Sequence, residues 1–384
     1  MTPAPRTCAL IGFGVAARIH GRILRGLGVR VVAVLEASPD RRAAARARGL
    51  RPVTAYAEAH ALDPDFWDVC TPTRCHVEVL ERIHAVAPRA DIVVEKPVCA
   101  PSDAARLRRL LLRHRGRIVV NENYASSAVT ATVRERVAAL GLRHTRTVVE
   151  MTKHRGADVR AGRQIDRELG AFGYEGPHLV TVAQGIGPWR PRGIADVSMS
   201  PLCECGDACG CACTGACAGG CGEGDGARVL RGQGGASVRY RTESGPVIEL
   251  YTSMTGRIGC PVPPCAPPRP VIPMDDPLTR YRVVRVDGTA TDGALWQVAG
   301  FYEPVTGIER PVGAVAVHRN GALVRPLCLI EDDTMTRHLR RALDHFAGHG
   351  PNPCPPERAL DTLELLHRWA REAIHGIRTR DTAG

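Results

Sequence analysis

Aromatic residues and long apolar runs are both scarce in this sequence of 384 residues. Phenylalanine, tryptophan and tyrosine make up only 4% of the chain, so its cores must be built mainly from valine, leucine, isoleucine and alanine. No apolar run approaches the roughly 18–20 residues that a membrane-spanning helix needs. The opening residues, MTPAPRTCAL, lack the apolar segment of a signal peptide. These absences argue against a membrane protein and predict a cytoplasmic location.

Lysine is also nearly absent, although the chain is strongly basic. The formal net charge is +11, and Lys96 and Lys153 are the only lysines, so arginine carries almost all of the positive charge. The arginines are spread along the chain, without a basic stripe interleaved with aromatics and without a zinc-finger or RNA-binding motif. We therefore expect no nucleic-acid partner. The length predicts roughly two or three domains.

A strand, a glycine turn and a helix open the sequence. The apolar run CALI leads into the turn GFGVAA, and apolar residues at helical spacing follow. Gly12 allows a tight turn, Gly14 lets the backbone approach a pyrophosphate, and Ala17 keeps the helix close to the strand. The turn predicts a dinucleotide site whose diphosphate lies at the helix start. Its predicted cofactor-binding residues are Gly12, Phe13, Gly14, Val15, Ala16 and Ala17.

Glu36 ends the second predicted strand, VRVVAVL, about 20 residues after the glycines. An acidic side chain at this position holds the ribose hydroxyls of adenosine and repels a 2′-phosphate. The pattern therefore favours NAD over NADP as the cofactor. Arg41 and Arg42 lie close by in the sequence and leave NADP open.

Strand and helix patterns continue to alternate as far as residue 121. Strands are predicted at Phe66–Thr71, Ala90–Val94 and Arg117–Asn121, with helical patterns between them. This alternation predicts a parallel, doubly wound sheet. Residues 185–330 are rich in glycine and proline and hold short strand-like runs, which predict a second domain of different character.

The sequence resembles the Gfo/Idh/MocA oxidoreductases in four features. These are the glycine turn, the pair Thr71-Pro72 with His76 shortly after it, the tripeptide Glu95-Lys96-Pro97, and the last two helical segments. That family is named for glucose-fructose oxidoreductase and inositol dehydrogenase. The resemblance implies a Rossmann domain over residues 1–122 and a second α/β domain over 123–384. The second domain would have an open, mostly antiparallel sheet, whose open face makes subunit contacts in a homo-oligomer, a dimer or a tetramer. The active site would lie between the domains. The resemblance also assigns to the cofactor site Thr71, Pro72, His76, Glu95, Lys96 and Asn123.

Lys96 is the predicted acid–base residue. It follows a strand at the sheet edge where ligands bind in open α/β folds. Hydride transfer at an alcohol carbon requires a proton to move at the oxygen, and an ammonium there stabilises alkoxide character. Because the chain otherwise uses arginine, a lysine here indicates a need for a compact, titratable amine.

His178 is the second predicted catalytic residue, near the start of a helix in GYEGPHLVTVAQGIG. The family carries an aspartate four residues before a histidine in this region, with both facing the nicotinamide. Tyr174 occupies that position here, so Glu175 would orient the imidazole, and Asp166 is an alternative. This departure leaves the polyol or sugar substrate of the family open to question.

Polar residues beyond two strands are candidates for substrate contacts. Tyr124 follows the last predicted Rossmann strand, in NENY, and the segment KHRGADVRAGRQID adds several charged groups. The candidates are Tyr124, Lys153, Arg155 and Arg163. If they line a pocket, a substrate with a carboxylate or phosphate is favoured, because arginine pairs with these groups bidentately. A solvated loop explains the same residues about as well.

Seven cysteines fall in one stretch, CECGDACGCACTGACAGGC, within an insertion at about residues 201–226. No C-x2-C step occurs, so neither a zinc ribbon nor a ferredoxin pattern fits. The C-x-C steps are typical of thiolate clusters that take Zn²⁺ or Cu⁺. An alanine- and glycine-rich insertion without metal is an equal reading. Either way the stretch lies away from the hydride site. The thiols are Cys203, Cys205, Cys209, Cys211, Cys213, Cys217 and Cys221.

These observations predict an NAD(P)-dependent oxidoreductase that acts on a small hydroxylated metabolite, with Lys96 and His178 as acid and base. Two alternatives stay open. In the first, a Rossmann protein uses NAD without net redox change, as a hydrolase, epimerase or lyase. In the second, a thiolate cluster makes the protein a metal store or redox sensor.

Overall fold

The structure is a computed structural model of the chain. It describes residues 7–153, 166, 168–187, 189–193, 195–203, 229–256, 258–259, 280–303, 311–324 and 326–381. The chain divides into two compact units. Unit 1 comprises Met1–Ser126 and Thr334–Glu364, and unit 2 comprises Ser127–Asp333 and Leu365–Gly384.

Strands and helices are numbered separately along the chain. The strands are β1 Thr7–Ile11, β2 Arg30–Leu35, β3 Pro52–Val53, β4 Phe66–Val69, β5 Asp91–Glu95, β6 Ile118–Asn121, β7 Arg143–Lys153, β8 Asp196–Cys203, β9 Val229–Arg241, β10 Val247–Ser253, β11 Arg280–Thr289, β12 Leu295–Glu303, β13 Val312–Arg319, β14 Ala322–Leu323 and β15 Cys328–Glu331. The α-helices are α1 Val15–Gly26, α2 Pro39–Arg46, α3 Tyr56–His60, α4 His76–Val86, α5 Ala104–Leu111, α6 Ala128–Ala139, α7 Phe172–Ile186, α8 Thr334–Phe346 and α9 Pro356–Asp381. No described helix is long and apolar enough to cross a membrane.

A parallel sheet of six strands forms the centre of unit 1. The strand order is β3-β2-β1-β4-β5-β6, so the chain direction of the crossovers changes between β1 and β4. The carboxyl ends of all these strands lie at one edge, where open α/β sheets bind ligands. The predicted doubly wound Rossmann sheet is confirmed.

Helix α8 packs in unit 1, whereas the sequence assigned it to the second domain. Its apolar face places Leu339, Leu343 and Phe346 in one buried cluster with Phe66 and Val119 of the parallel sheet. The rings of Phe66 and Phe346 are 5.8 Å apart between centroids. Burial of this face stabilises the association, although more than 200 residues separate α8 from the sheet in the sequence.

Unit 2 contains the second sheet. Within the described residues, nine strands pair in the order β14-β13-β12-β11-β7-β10-β9-β8, with β15 beside β13. Pairing is antiparallel except between β7 and β10. The predicted mostly antiparallel sheet is therefore confirmed.

Helix α6 lies close against this sheet because two strand residues are glycines. A Cβ on Gly300 would lie 2.7 Å from Val133, and one on Gly313 would lie 2.6 Å from Val129. Neither strand position therefore tolerates a larger residue at this spacing. The hydroxyls of Thr130 and Tyr302 add a hydrogen bond of 2.6 Å between helix and sheet.

Helix α7 begins earlier than the sequence indicated, and Pro177 lies inside it rather than near its start. Asp166 explains the early start: its carboxylate accepts hydrogen bonds from the backbone N–H groups of Glu168 and Leu169, at 3.0 and 2.8 Å. This turn leads directly into Phe172, which is fully buried and packs on Trp369 of α9. Tertiary packing thus extends the helix past a residue that lacks an N–H donor.

Candidate active site

The glycine turn lies at the carboxyl edge of the parallel sheet. Gly12 has a φ of +87°, and a Cβ there would lie 3.2 Å from the carbonyl oxygen of Cys70, so the chain itself requires glycine. Gly14 differs, because a Cβ there would meet no described atom within 4 Å. It leaves open space directly before the N-terminus of α1.

The start of α1 suits an anion. Gly14 is the N-cap, and the first turn has neither an acidic residue nor a side-chain cap. The free N–H groups and the helix dipole there favour a diphosphate. Ala17 is fully buried against the sheet, whereas Val15 is 62% exposed at the mouth of the turn. These residues fit the dinucleotide that the sequence predicted.

Glu36 fastens this turn to the next helix. Its carboxylate accepts hydrogen bonds from the backbone N–H groups of Phe13 and Ser38, both at 2.8 Å, and its side chain is 6% exposed. The guanidinium of Arg41 lies 3.7 Å away. Arg42 instead donates to the backbone carbonyls of residues 36 and 37. Each Glu36 oxygen keeps a lone pair that can accept a ribose hydroxyl.

His76 joins two loops at the same edge. One ring nitrogen lies 2.9 Å from the carbonyl of Pro97, and the other lies 2.8 Å from the carbonyl of Thr71. Burial lowers the pKa of His76, against the opposing effect of these carbonyls. The Thr71 hydroxyl is buried without a hydrogen-bond partner among the described residues, so it is available to a ligand. Pro72 follows it and starts a short 3₁₀ turn at Thr73–Cys75.

Glu95 and Lys96 end the central strand β5. Lys96 is half-buried, and its backbone N–H donates to the Glu95 carboxylate at 3.2 Å. The Glu95 carboxylate also accepts a hydrogen bond from the Asn121 side chain and lies 2.9 Å from Nε2 of His20. The pKa of Glu95 falls to about 2: burial opposes the shift, and the hydrogen bond and charge of His20, with Asn121 and Lys96, outweigh it.

Sequence reasoning missed His20, Asp68 and Asn121, which are all buried beneath this edge. Two signals were available. His20 lies on the apolar stripe of α1 together with Ala17 and Leu24, and Asp68 interrupts the buried strand FWDV. Polar residues at such positions need buried partners, but the sequence does not identify which residues these are.

Asn123 and Tyr124 follow β6 in a short 3₁₀ turn. The Asn123 amide donates to the hydroxyl of Thr334 at 2.6 Å, and Tyr124 is 4% exposed. His338 of α8 fixes the same turn, with one ring nitrogen 3.0 Å from the Ser126 hydroxyl and the other 2.9 Å from the Val120 carbonyl. Asn123 is therefore tied to α8, which the sequence did not indicate.

In unit 2, Glu175 and His178 lie on one face of α7, and both are buried. Both carboxylate oxygens of Glu175 lie 2.9 Å from the guanidinium of Arg282 on β11. Nε2 of His178 is 4.0 Å from the nearer Glu175 oxygen, which is too long for a hydrogen bond. The main partner of Glu175 is thus Arg282, and His178 lies farther away. Asp166, the alternative, caps the turn before α7.

Some of the remaining predicted site residues lie in the described part of the chain, and others lie outside it. Lys153 is 7% exposed at the end of β7. Arg155 and Arg163 lie outside the described residues, as do the six thiols from Cys205 to Cys221. Cys203 ends β8, next to β9. The thiolate cluster and the two arginines therefore stay predictions.

Comparison with protein families identifies the first unit. Residues 6–122 match the Gfo/Idh/MocA model, described as an oxidoreductase family with an NAD-binding Rossmann fold. The family resemblance is thus confirmed over these residues, which match the NAD-binding Rossmann fold of an oxidoreductase family. No curated protein matches the sequence of this chain.

Solved structures share the fold along nearly the whole chain. UDP-N-acetylglucosamine 3-dehydrogenase from Acidithiobacillus ferrooxidans is 15% identical with a TM-score of 0.63, covering 96% of this chain and 97% of its own. An oxidoreductase from Agrobacterium radiobacter, in complex with NAD⁺, L-tartaric acid and magnesium, is 16% identical with a TM-score of 0.65. The WlbA dehydrogenase from Bordetella pertussis, in complex with NADH and UDP-GlcNAcA, is 15% identical with a TM-score of 0.65. For each of these two, the match covers 97% of both chains.

Proposed function

We propose that this chain, whose residues 6–122 have the NAD-binding Rossmann fold of the Gfo/Idh/MocA oxidoreductases, transfers hydride between NAD and a hydroxylated carbon of a sugar, a polyol or a derivative. The observation that carries the proposal is the glycine turn, with open space at Gly14 before an uncapped helix start. Glu36 supports NAD as the cofactor.

NAD would be held by the turn from Gly12 to Ala17, by Glu36 and by the Thr71 hydroxyl. When bound, its nicotinamide supplies the acceptor or donor of the hydride. Glu36 favours NAD over NADP because its buried carboxylate would face the 2′-position, and a 2′-phosphate would meet like charge there. The exposed side chain of Arg41 lies on the solvent side of this carboxylate and softens that preference.

Lys96 would hold the reacting oxygen of the substrate. Its ammonium donates a hydrogen bond to that oxygen and stabilises negative charge as the C–H bond breaks. His178 would take the hydroxyl proton, so that alcohol oxidation yields a carbonyl, a reduced cofactor and one proton on the protein. Glu175, fixed by Arg282, would set the electrostatic environment of His178 rather than bond to its ring.

A substrate with a carboxylate is the class that we propose. Lys153 and the sequence-neighbouring Arg155 and Arg163 would supply positive charge to such a substrate. Two neighbours of the same fold are solved with anionic hydroxylated molecules, L-tartaric acid in one and UDP-GlcNAcA in the other. The exposed apolar side chains of Leu295, Leu323 and Leu329 in unit 2 support assembly into a homo-oligomer.

The test is a screen of NADH formation over sugar acids, polyols and amino sugars, with the Lys96→Arg variant beside the wild type. We expect activity with one class and a loss of about 10²–10⁴-fold in kcat for Lys96→Arg. Lys153→Arg is the matched lysine control, with a smaller loss through KM. Activity that is unchanged by Lys96→Arg would remove Lys96 from the chemistry. Bound NAD turned over without net NADH would favour a cycle without net redox change.

A further inference from the structure

A line of ionisable groups runs beneath the Lys96 loop in unit 1. His20 of α1 is fully buried, and its Nδ1 lies 2.9 and 3.1 Å from the two carboxylate oxygens of Asp68. Its Nε2 lies 2.9 Å from Oε1 of Glu95. Asp68 is itself fully buried on β4, and Glu95 is 16% exposed. The imidazole thus bridges two carboxylates, and the second of them contacts Lys96.

Two flanking carboxylates favour a proton on each ring nitrogen of His20. An ionised carboxylate can only accept hydrogen bonds, so a neutral His20 would turn a lone pair towards one of the two acids. With a charged imidazolium, the series Asp68, His20, Glu95 and Lys96 alternates in sign and sums to zero. Such alternation is what makes buried charges tolerable.

The surrounding groups agree with this assignment. Burial disfavours a charged His20, but the Asp68 carboxylate outweighs it and raises the pKa of His20 well above its usual value. The Cys70 thiol lies 3.4 Å from Nδ1 and 3.6 Å from Asp68, and burial raises its pKa, so it stays neutral. The Asn121 amide nitrogen donates to Glu95 and also lies 2.9 Å from Nε2, so this contact does not itself place a proton on Nε2. The Asn121 Oδ1 has no hydrogen-bond partner among the described residues.

We propose that His20 is a positioning residue: as an imidazolium it fixes the Glu95 carboxylate and offsets part of its negative charge, and Glu95 in turn orients and partly balances the ammonium of Lys96. The role of Lys96 in hydride transfer rests on the function proposed above, whereas the charge coupling does not. Glu95 acts on Lys96 in two ways, by accepting its backbone N–H and by its negative charge.

The same atoms could instead surround a metal ion. Nδ1 of His20, a carboxylate oxygen of Asp68 and Sγ of Cys70 all lie within 4.8 Å of one another. A ligating Nδ1 must be deprotonated, so metal binding and the imidazolium are mutually exclusive. The direct bond of 2.9 Å between ring and carboxylate accounts for the grouping without an ion.

The two lysines of the chain make the coupling measurable without cofactor or substrate. Acetic anhydride labels only neutral amines, so the labelling rate of Lys96 near pH 8, read by mass spectrometry, reports its proton affinity. Lys153 serves as the internal reference. The variants are His20→Gln, which removes a positive charge, and Glu95→Gln, which removes a negative one. His84→Gln, a partly buried histidine elsewhere in unit 1, is the matched control.

We expect the two variants to act in opposite directions. Glu95→Gln should label Lys96 several-fold faster than the wild type, and His20→Gln several-fold slower, since a nearby charge shifts a pKa by about one unit. Lys153 labelling and His84→Gln should match the wild type. A loss of packing alone would change the Lys96 labelling rate in the same direction in both variants.

Equal Lys96 labelling rates in all the proteins would overturn the proposal. Elemental analysis that finds zinc bound to the wild type and lost in His20→Gln would overturn it as well. Nitrogen-15 NMR of wild-type histidines needs no folded variant: one ring that stays doubly protonated above pH 8 is expected, and its absence contradicts the proposal. Failure of the protein to bind NAD would refute the proposed function and leave these outcomes unaffected.

Discussion

Replacing Glu36 by glutamine tests the link between the glycine turn and cofactor choice. The wild-type carboxylate accepts two backbone N–H groups, from Phe13 and Ser38, each at 2.8 Å. A glutamine amide keeps one accepting oxygen and turns an NH₂ group towards the other N–H. One of the two hydrogen bonds is therefore lost, and the other loses its charge.

The size of the effect follows from the kind of bond. A hydrogen bond to a charged group contributes about 1.5–3 kcal/mol. The expected loss of about 2 kcal/mol corresponds to a fall of roughly 4–8 °C in the Tm of a domain of this size. A comparable loss at the ribose would raise the Kd for NAD by more than about tenfold. The affinity for NADP should fall less, because the variant relieves like-charge repulsion at its 2′-phosphate. The preference for NAD over NADP should therefore become smaller.

The assay is a calorimetric titration of both cofactors, with thermal unfolding of each protein measured in parallel. Glu58→Gln is the matched control, because Glu58 is exposed and accepts a single backbone N–H, from Thr54 at 3.3 Å. It should leave the Tm and both Kd values close to wild type. A Glu36→Gln protein with wild-type Tm and unchanged cofactor preference would refute the reasoning.

Two further predictions concern buried charge and pH. Arg282→Met should lower the free energy of unfolding by about 3–5 kcal/mol, because it leaves the Glu175 carboxylate buried without its guanidinium. In urea denaturation, the double variant Arg282→Met/Glu175→Leu should recover much of this lost stability. Stability losses that simply add in the double variant would contradict the pairing. Burial lowers the pKa of His338 to about 4, so the neutral ring stabilises the fold fully above pH 6.5. As the pH falls from 6.5 towards 4, the unfolded chain takes up the proton first, and about 3 kcal/mol should be lost. His338→Gln should be less stable at neutral pH and less sensitive to acid over this interval, and an unchanged pH dependence would exclude His338 as the cause.

The parts of the fold that could be predicted are those that local patterns determine. Strand β10, Val247–Ser253, lies among the short strand-like runs of residues 185–330, and the glycine turn lies where CALIGFG placed it. In both places, hydrophobic period and glycine position decide the local conformation, whatever the rest of the chain does.

The rest depended on contacts distant in the sequence. His20 and Asp68 are 48 positions apart, and nothing between them indicates that they touch. Arg282 meets Glu175 only because β11 pairs with β7 in the second sheet, and α8 packs in unit 1 only through its apolar face. The sequence predicted that α7 starts close to Pro177, and the buried contact of Phe172 with Trp369 lets the helix begin earlier.

Titration of the purified protein with NAD, for wild type and for Gly14→Ala, tests the central claim most directly. A Cβ on Gly14 meets no described atom within 4 Å, so the variant should fold with wild-type stability and fill only the space proposed for the diphosphate. We expect saturable NAD binding by the wild type and a Kd at least about tenfold higher in Gly14→Ala, at unchanged Tm. Wild-type protein that does not bind NAD, or a Gly14→Ala variant that binds it equally well, would contradict the account.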